Sequence, residues 1–132
     1  MKKILFVCVE NSCRSQMAEG FANFFGKGVI EAYSAGSKPS GKVNPDAIAV
    51  MKEAGIDISA ATSKGFDALM AKDFDYAVAL GCKDSCPFVS ANQHIEWQIE
   101  DPKDKGIEKF REVRDSIKER VKALVEELAK RT

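Results

Sequence analysis

Ile4-Leu5-Phe6-Val7-Cys8-Val9-Glu10-Asn11-Ser12-Cys13-Arg14-Ser15-Gln16-Met17-Ala18-Glu19-Gly20-Phe21 is the stretch on which the fold turns. Ile4 to Val7 is a short apolar run of the kind a buried strand needs. From Gln16 onward, Met17, Phe21 and Phe24 or Phe25 fall on one face of a helix. Between strand and helix lies a loop that begins with a thiol and ends with a guanidinium. Backbone N–H groups of a tight loop can converge on an anion. The first N–H groups of a helix lack intrahelical partners and sit at its positive end. Arg14 adds a fork that grips a tetrahedral oxyanion through two bonds. A Cys8 sulfur in that cradle is expected to ionise more readily than a free thiol and to act as a nucleophile. Ser15 can hydrogen-bond this sulfur or ease its departure as a leaving group. The plainer alternative makes Cys8 a small buried hydrophobe and Arg14 a surface residue. The position between strand and helix, with Ser15 following, favours the cradle.

Working outward, Gly26-Lys27-Gly28 stops the first helix. Val29 to Ser34 reads as a second strand, Ala35-Gly36 as a turn, and Ser37 to Val43, with Pro39 and Gly41, as a surface loop. Asn44-Pro45-Asp46 opens a second helix through a cap, a first-turn proline and an acid near the positive end. Ile48, Met51, Ala47 and Ala54 supply its inner face, and Gly55 ends it. Ile56 to Ser59 is ambiguous. Thr62 or Ser63 is expected to cap a brief helix through Phe66, Leu69 and Met70. Tyr76 to Leu80 is apolar throughout, as in a central parallel strand covered on both faces. His94 to Ile99 alternates, with Ile95, Trp97 and Ile99 on one side, and predicts another extended segment. Phe110, Val113, Ile117, Val121, Leu124 and Leu128 mark a long amphipathic helix. Strands alternating with helices predict an α/β fold with a parallel sheet. Ligands of such sheets bind outside the carboxyl ends of the strands, where the loops of Cys8 and Cys82 both emerge. Residues 1–132 show no repeat and no internal boundary, and read as one domain.

The 132 residues are enough for a single domain with a real core. Lys and Arg number 20 and are balanced by 20 Asp and Glu, which implies no attraction to nucleic acid or anionic membranes. The apolar run after Met1-Lys2-Lys3 ends at Glu10 and is too short for an export signal. No stretch can span a membrane. The four cysteines then point to a catalytic, redox or metal role in a reducing, cytoplasmic setting. Cys82 and Cys86 share a loop and can pass a disulfide along by exchange; if Cys82 reaches Cys8, the three sulfurs form a relay. The alternatives are unrelated thiols, or a zinc site joining Cys8 and Cys13 to Cys82 and Cys86. Zinc would consume the nucleophile and set Arg14 beside a cation, so no metal is expected. Asp101, before Pro102, is a candidate acid or else a turn residue. His94, the one histidine, reads as structural or surface. Trp97, Phe24 and Phe25 read as core.

Cys8, Asn11, Ser12, Cys13, Arg14 and Ser15, continued by Gln16-Met17-Ala18-Glu19-Gly20, resemble the phosphate-binding loop of the low-molecular-weight protein tyrosine phosphatases. That loop has the form Cys-x5-Arg-Ser/Thr near the N-terminus, and the match is to the arsenate reductase branch. The resemblance covers nearly the whole chain and implies a four-stranded parallel sheet flanked by helices. It implies an oxyanion-binding loop of Cys8, Val9, Glu10, Asn11, Ser12, Cys13 and Arg14, and it makes Asp101 the general acid. Aryl-ester phosphatases of the family usually place a tyrosine soon after the Asp-Pro pair. Here Lys103-Asp104-Lys105 follows. Thiol-coupled arsenate reductases carry a cysteine pair after the third strand, matched by Gly81-Cys82 to Cys86-Pro87.

The implied reaction starts with Cys8 attacking arsenate held by the loop and Arg14. Cys82 then attacks Cys8, arsenite leaves, and Cys86 moves the disulfide into its own loop. An external thiol reductant, thioredoxin or similar, restores the thiols, with no bound cofactor. The alternative is a phosphatase that hydrolyses phosphate monoesters through a Cys8 phosphocysteine with Asp101 as acid. A second alternative is a non-catalytic oxyanion-binding module. Two departures stand out. Glu10 adds negative charge beside the anion site, which opposes oxyanion binding unless its side chain points to solvent. Some arsenate reductases bind potassium through residues matching Asn11, Glu19, Ser34 and an acid after a Thr-Ser pair. Here Lys64 follows Thr62-Ser63, so that site is expected to be lost or filled by the Lys64 ammonium.

Overall fold

The computed structural model describes residues 1–69, 73–81 and 91–130. Strand β1 (Lys2–Cys8) leads into helix α1 (Arg14–Phe25), followed by β2 (Ile30–Gly36), α2 (Pro45–Glu53), β3 (Phe74–Leu80), β4 (Ala91–Trp97) and α3 (Ile107–Lys130). The four strands form one parallel sheet in the order β2-β1-β3-β4. This is the α/β architecture that the alternation of elements predicts. β1 is paired on both sides, with Cys8 level with Gly36 and Val7 level with Ala79. The sulfur therefore emerges at the carboxyl edge of the sheet.

The unbroken apolar run of β1 is explained by the two faces of the sheet. Ile4 and Phe6 join the main core with Met17, Phe21 and the α3 stripe. Leu5 and Val7 join a smaller cluster on the other face with Ala35 and Phe74. The stripe from Phe110 to Leu128 is buried as its spacing predicts, with Val125 added. Truncating a fully buried member such as Ile117 to alanine would cost about 2–5 kcal/mol. α2 begins as its sequence requires, with Asn44 Oδ1 accepting from the Asp46 N–H at 2.8 Å. Its inner face is Ala47, Val50 and Met51, while Ile48 and Ala54 are only partly buried. It is tied to α3 by Glu53, which reaches Arg111 at 2.8 Å and Arg114 at 2.7 Å.

Four local expectations change. Phe25 packs, stacked on Phe21 at 5.9 Å with Lys122 of α3 over its ring, while Phe24 is 59% exposed; α3 lies on Phe25's side. The brief helix after Thr62-Ser63 is a single 3-10 turn, Phe66–Ala68, entered from Gly65. Ser63 does not cap it, because its oxygen accepts instead from the Gly41 N–H at 3.1 Å and the cap position falls to Gly65. Met70 lies outside the described residues. β2 continues through Ala35-Gly36 in register with β1 instead of turning there. β4 starts at Ala91, and His94 is exposed on it. No helix among the described residues is long and apolar enough to cross a membrane.

Candidate functional site

The loop between β1 and α1 is held open by its neighbours. Val9, Glu10 and Ser12 turn their carbonyls outward to accept from the N–H groups of Lys38 (2.8 Å), Ser40 (3.1 Å) and Asn44 (3.0 Å). A trans peptide sets its N–H opposite its C=O. The N–H groups of Glu10, Asn11 and Cys13 therefore point the other way, inward, which is how an anion nest is made. Asn11 closes the turn in the left-handed region, φ 51°, which asparagine tolerates better than most residues. Gly36 supports the loop from β2. A Cβ there would lie 2.5 Å from the Val9 carbonyl oxygen and 2.7 Å from the Asn11 nitrogen.

Behind the loop, a chain of hydrogen bonds runs toward the sulfur, and its direction is fixed as far as Ser15. The Lys64 backbone N–H can only donate, and it donates to Asn11 Oδ1 at 2.8 Å. Gln16 Nε2 donates to the same oxygen at 2.9 Å and to the Thr62 carbonyl at 2.9 Å. With that oxygen assigned, Asn11 Nδ2 donates to Ser15 Oγ at 2.8 Å. Ser15 Oγ lies 2.8 Å from Cys8 Sγ, and its own proton is left available to donate to the sulfur. Asn11, Ser15 and Gln16 are all buried. A buried network of this kind holds its members together, and only Gln16 Oε1 within it has no hydrogen-bond partner among the described residues.

The Lys64 ammonium sits 3.4 Å from Ser34 Oγ, 3.4 Å from the Thr62 carbonyl and 4.0 Å from Glu19 Oε1. Burial pushes the Glu19 carboxyl up, and the Lys64 charge and Ser34 bonds pull it back. Ser34 and Glu19 are two of the groups that the resemblance would give to potassium. An ammonium already occupies them, so the residues present do not fit that ion.

Arg14 heads α1 and is buried, 7% exposed. Its Nη1 donates to the Ile99 carbonyl just beyond β4 at 3.0 Å, and its Nη2 lies 3.7 Å from Asp101 Oδ2. Gly81, with φ 76°, ends β3 against this group. A Cβ there would sit 2.5 Å from both Arg14 Nη1 and the Ile99 oxygen, a space that only glycine leaves free. The ends of β1, β3 and β4 thus meet around one guanidinium.

In front of it opens a cavity of about 190 Å³ lined by Cys8, Val9, Glu10, Ser12, Cys13, Arg14, Asp101 and Lys103. This is smaller than the roughly 300–1,000 Å³ of sites for drug-sized ligands and suits a small oxyanion. Asp101 is exposed at its mouth, with Oδ1 accepting from the Lys103 N–H at 3.1 Å. Cys13 shares the wall but not the chemistry. Burial first, and then the Asp101 charge, push its thiol up to about 12. It stays protonated at neutral pH, and a thiol is a poor nucleophile.

The structure brings together the loop, Arg14, Ser15 and Asp101. Cys82 and Cys86 lie outside the described residues. Three participants were not legible as such: Gln16, Lys103 and the Ile99 carbonyl. For Gln16 there was a signal, one amide on a helix face otherwise made of Met17, Ala18 and Phe21. Among the described residues no group of three or more His, Cys, Asp or Glu could hold a metal ion.

Comparison with known proteins agrees with this geometry. Residues 3–132 match the model of the low molecular weight phosphotyrosine protein phosphatase family. A glutaredoxin arsenate reductase of Synechocystis is 47% identical over 132 residues, covering 98% of this chain and all of that one. A solved arsenate reductase in the phosphate binding state superposes with TM-score 0.88 at 46% identity, covering 97% of this chain and 99% of that one. A thioredoxin-dependent arsenate reductase of Corynebacterium glutamicum superposes at TM-score 0.80 and 27% identity, over 100% of this chain and 64% of that one.

Proposed function

We propose that this chain, which belongs to the low molecular weight phosphotyrosine protein phosphatase family, reduces arsenate to arsenite. The observation that carries the reading is the Cys8 sulfur, hydrogen-bonded to Ser15 and facing an anion-sized pocket walled by Arg14. Arsenate enters the nest and is gripped by inward N–H groups and Arg14. Cys8 sulfur attacks arsenic and an oxygen leaves as water, with Asp101 placed to supply the proton. Cys82 attacks the Cys8 sulfur, and the S–As electron pair stays on arsenic as arsenite departs. A Cys8–Cys82 disulfide remains. Cys86 attacks Cys82 and frees Cys8, and an external thiol reductant reduces the Cys82–Cys86 disulfide. The reductant is thioredoxin or a similar thiol protein, in keeping with the relative named for thioredoxin and the one named for glutaredoxin. Such a relay belongs in a reducing compartment, which is why we place it in the cytoplasm.

The phosphatase alternative is not favoured. The relatives are named arsenate reductases, and Lys103 stands where an aromatic platform for an aryl group would be useful. The test is a pair of variants assayed for arsenite production with a thioredoxin or glutaredoxin system and for hydrolysis of an aryl phosphate. Cys8→Ser is expected to abolish any activity of either kind. Cys82→Ser is expected to abolish arsenate turnover and spare residual hydrolysis. Arsenate turnover that survives Cys82→Ser would remove the relay.

A further inference from the structure

Glu10 departs from expectation by putting a carboxylate in an anion-binding loop, and the structure shows where that charge goes. Both Glu10 carboxylate oxygens lie 3.0 Å from Lys103 Nζ. The pair joins two chain segments far apart in sequence, the β1–α1 loop and the polar loop after β4. Each end is pinned through its backbone. The Glu10 carbonyl is held by the Ser40 N–H and the Ser63 hydroxyl. The Lys103 N–H is held by Asp101 Oδ1, and a further turn bond runs from the Lys105 N–H to the Pro102 carbonyl at 3.1 Å. The pairing in turn raises the Lys103 pKa, chiefly through the bond to Glu10.

The pair also marks a boundary. On one side is the oxyanion pocket. On the other is a groove of about 220 Å³ lined by Ser40, Lys42, Asn44 and Pro45, with Glu10, Ser12 and Lys103 common to both. A free oxyanion fits wholly within the pocket. A phosphate or arsenate ester that extends its organic group into the neighbouring groove has to pass this border.

We propose that the Glu10–Lys103 ion pair is a specificity gate that favours a free tetrahedral oxyanion in the pocket over organic esters of that anion. Parting the pair to admit an ester breaks the contact and turns an unneutralised Glu10 carboxylate toward the incoming dianion. With the gate shut, the two charges cancel and Glu10 does not oppose the substrate. This gate rests on the oxyanion-reducing function inferred above and names which anions that site accepts.

The experiment compares inorganic phosphate with phenyl phosphate as protectants of Cys8 against iodoacetamide, the labelled residue being identified by tandem mass spectrometry. Both probes are dianions at mildly alkaline pH, so the ratio of their protection constants cancels charge and reports the steric gate. The reduced wild-type chain is compared with Lys103→Met, Glu10→Gln and the inverted pair Glu10→Lys/Lys103→Glu. Each single variant is expected to shift the ratio about fivefold toward phenyl phosphate, the scale of one exposed ion pair. The inverted pair is expected to restore it. An unchanged ratio in both single variants, with phosphate still protecting Cys8, overturns the gate. Wild-type protein that phosphate does not protect overturns both the gate and the oxyanion site. Wild-type protein that phosphate protects but that yields no arsenite overturns the reductase reading and leaves the ratio to judge the gate.

Discussion

Two loops meet at the oxyanion pocket, and they are held in opposite ways. The loop from Cys8 to Arg14 is mostly buried and is braced by directional hydrogen bonds from the connection between β2 and α2 and from the segment around Lys64. The segment from Glu100 to Gly106 is exposed apart from Pro102. It is held by a turn, by the Glu10–Lys103 and Glu100–Lys105 ion pairs, and by the Arg14–Asp101 approach. The nucleophile's surroundings are therefore built in advance, which is what electrostatic preorganisation requires. The surroundings of Asp101, the proposed acid, are built from surface charge, which salt screens and solvent competes for. The chain spends its rigidity where the Cys8 sulfur must meet a negative substrate. It leaves looser the side through which substrate enters.

Arg14 belongs to both loops, so removing its fork is the change with the largest expected effect. Arg14→Lys keeps a charge but loses the paired donors and the anchor on Ile99. Arsenate kcat/KM is expected to fall by about 10²–10³-fold, on the scale of losing a key transition-state donor. A fall of less than threefold would mean that the guanidinium is structural.

Asn11→Ala attacks the buried loop alone. It orphans the Lys64 N–H and leaves Ser15 without its donor, so turnover is expected to fall on the order of 10²-fold. The unpaired buried donor should also cost about 1–3 kcal/mol of stability, read as a lowered melting temperature. Asp101→Asn attacks the exposed loop alone. It is expected to cost about 10²-fold in turnover, at the low end for a general acid, with the melting temperature unchanged. The contrast between the two variants is the point. If Asp101→Asn destabilised the fold as much as Asn11→Ala, the two loops would not differ as described.

Cys13→Ala should change turnover least, because that thiol stays protonated at working pH. Its effect is on stability in alkali. The folded chain keeps the Cys13 proton up to about 12, whereas the unfolded chain releases it near 9. Between those values the unfolded state binds fewer protons, so stability falls as pH rises, by about 1.4 kcal/mol per pH unit for one proton. Below that window the contribution is fully present. Denaturant unfolding of wild type and Cys13→Ala across the window should show a steeper alkaline loss in the wild type.

The same division explains how much could be read from the sequence. The Cys8-to-Arg14 loop was legible because its chemistry is local: a strand end, a helix start and a thiol and guanidinium at fixed spacing. The α3 stripe and the Asn44 cap were legible for the same reason. The partners that finish the site were not, because they arrive from distant segments. Lys103 and Glu10 carry no mutual signal along the chain, and Ile99 contributes a carbonyl, which no residue type announces. Lys64 could be named as a stand-in cation only through the resemblance. Its second use, a backbone N–H that sets the direction of the bonds to Ser15, depends on β2 and the Thr62 segment packing together. The expected helix after Ser63 shrank to one turn for a related reason, since the distant Gly41 N–H claims the oxygen that would have capped it.

The most direct test of the Cys8 account is a single turnover without reductant. Fully reduced chain is mixed with excess arsenate, and arsenite and free thiols are counted. The account predicts close to one arsenite per chain with the loss of two thiols, and neither product from Cys8→Ser. Arsenite formed by Cys8→Ser, or wild-type chain that consumes no thiols while arsenate remains bound, would contradict it.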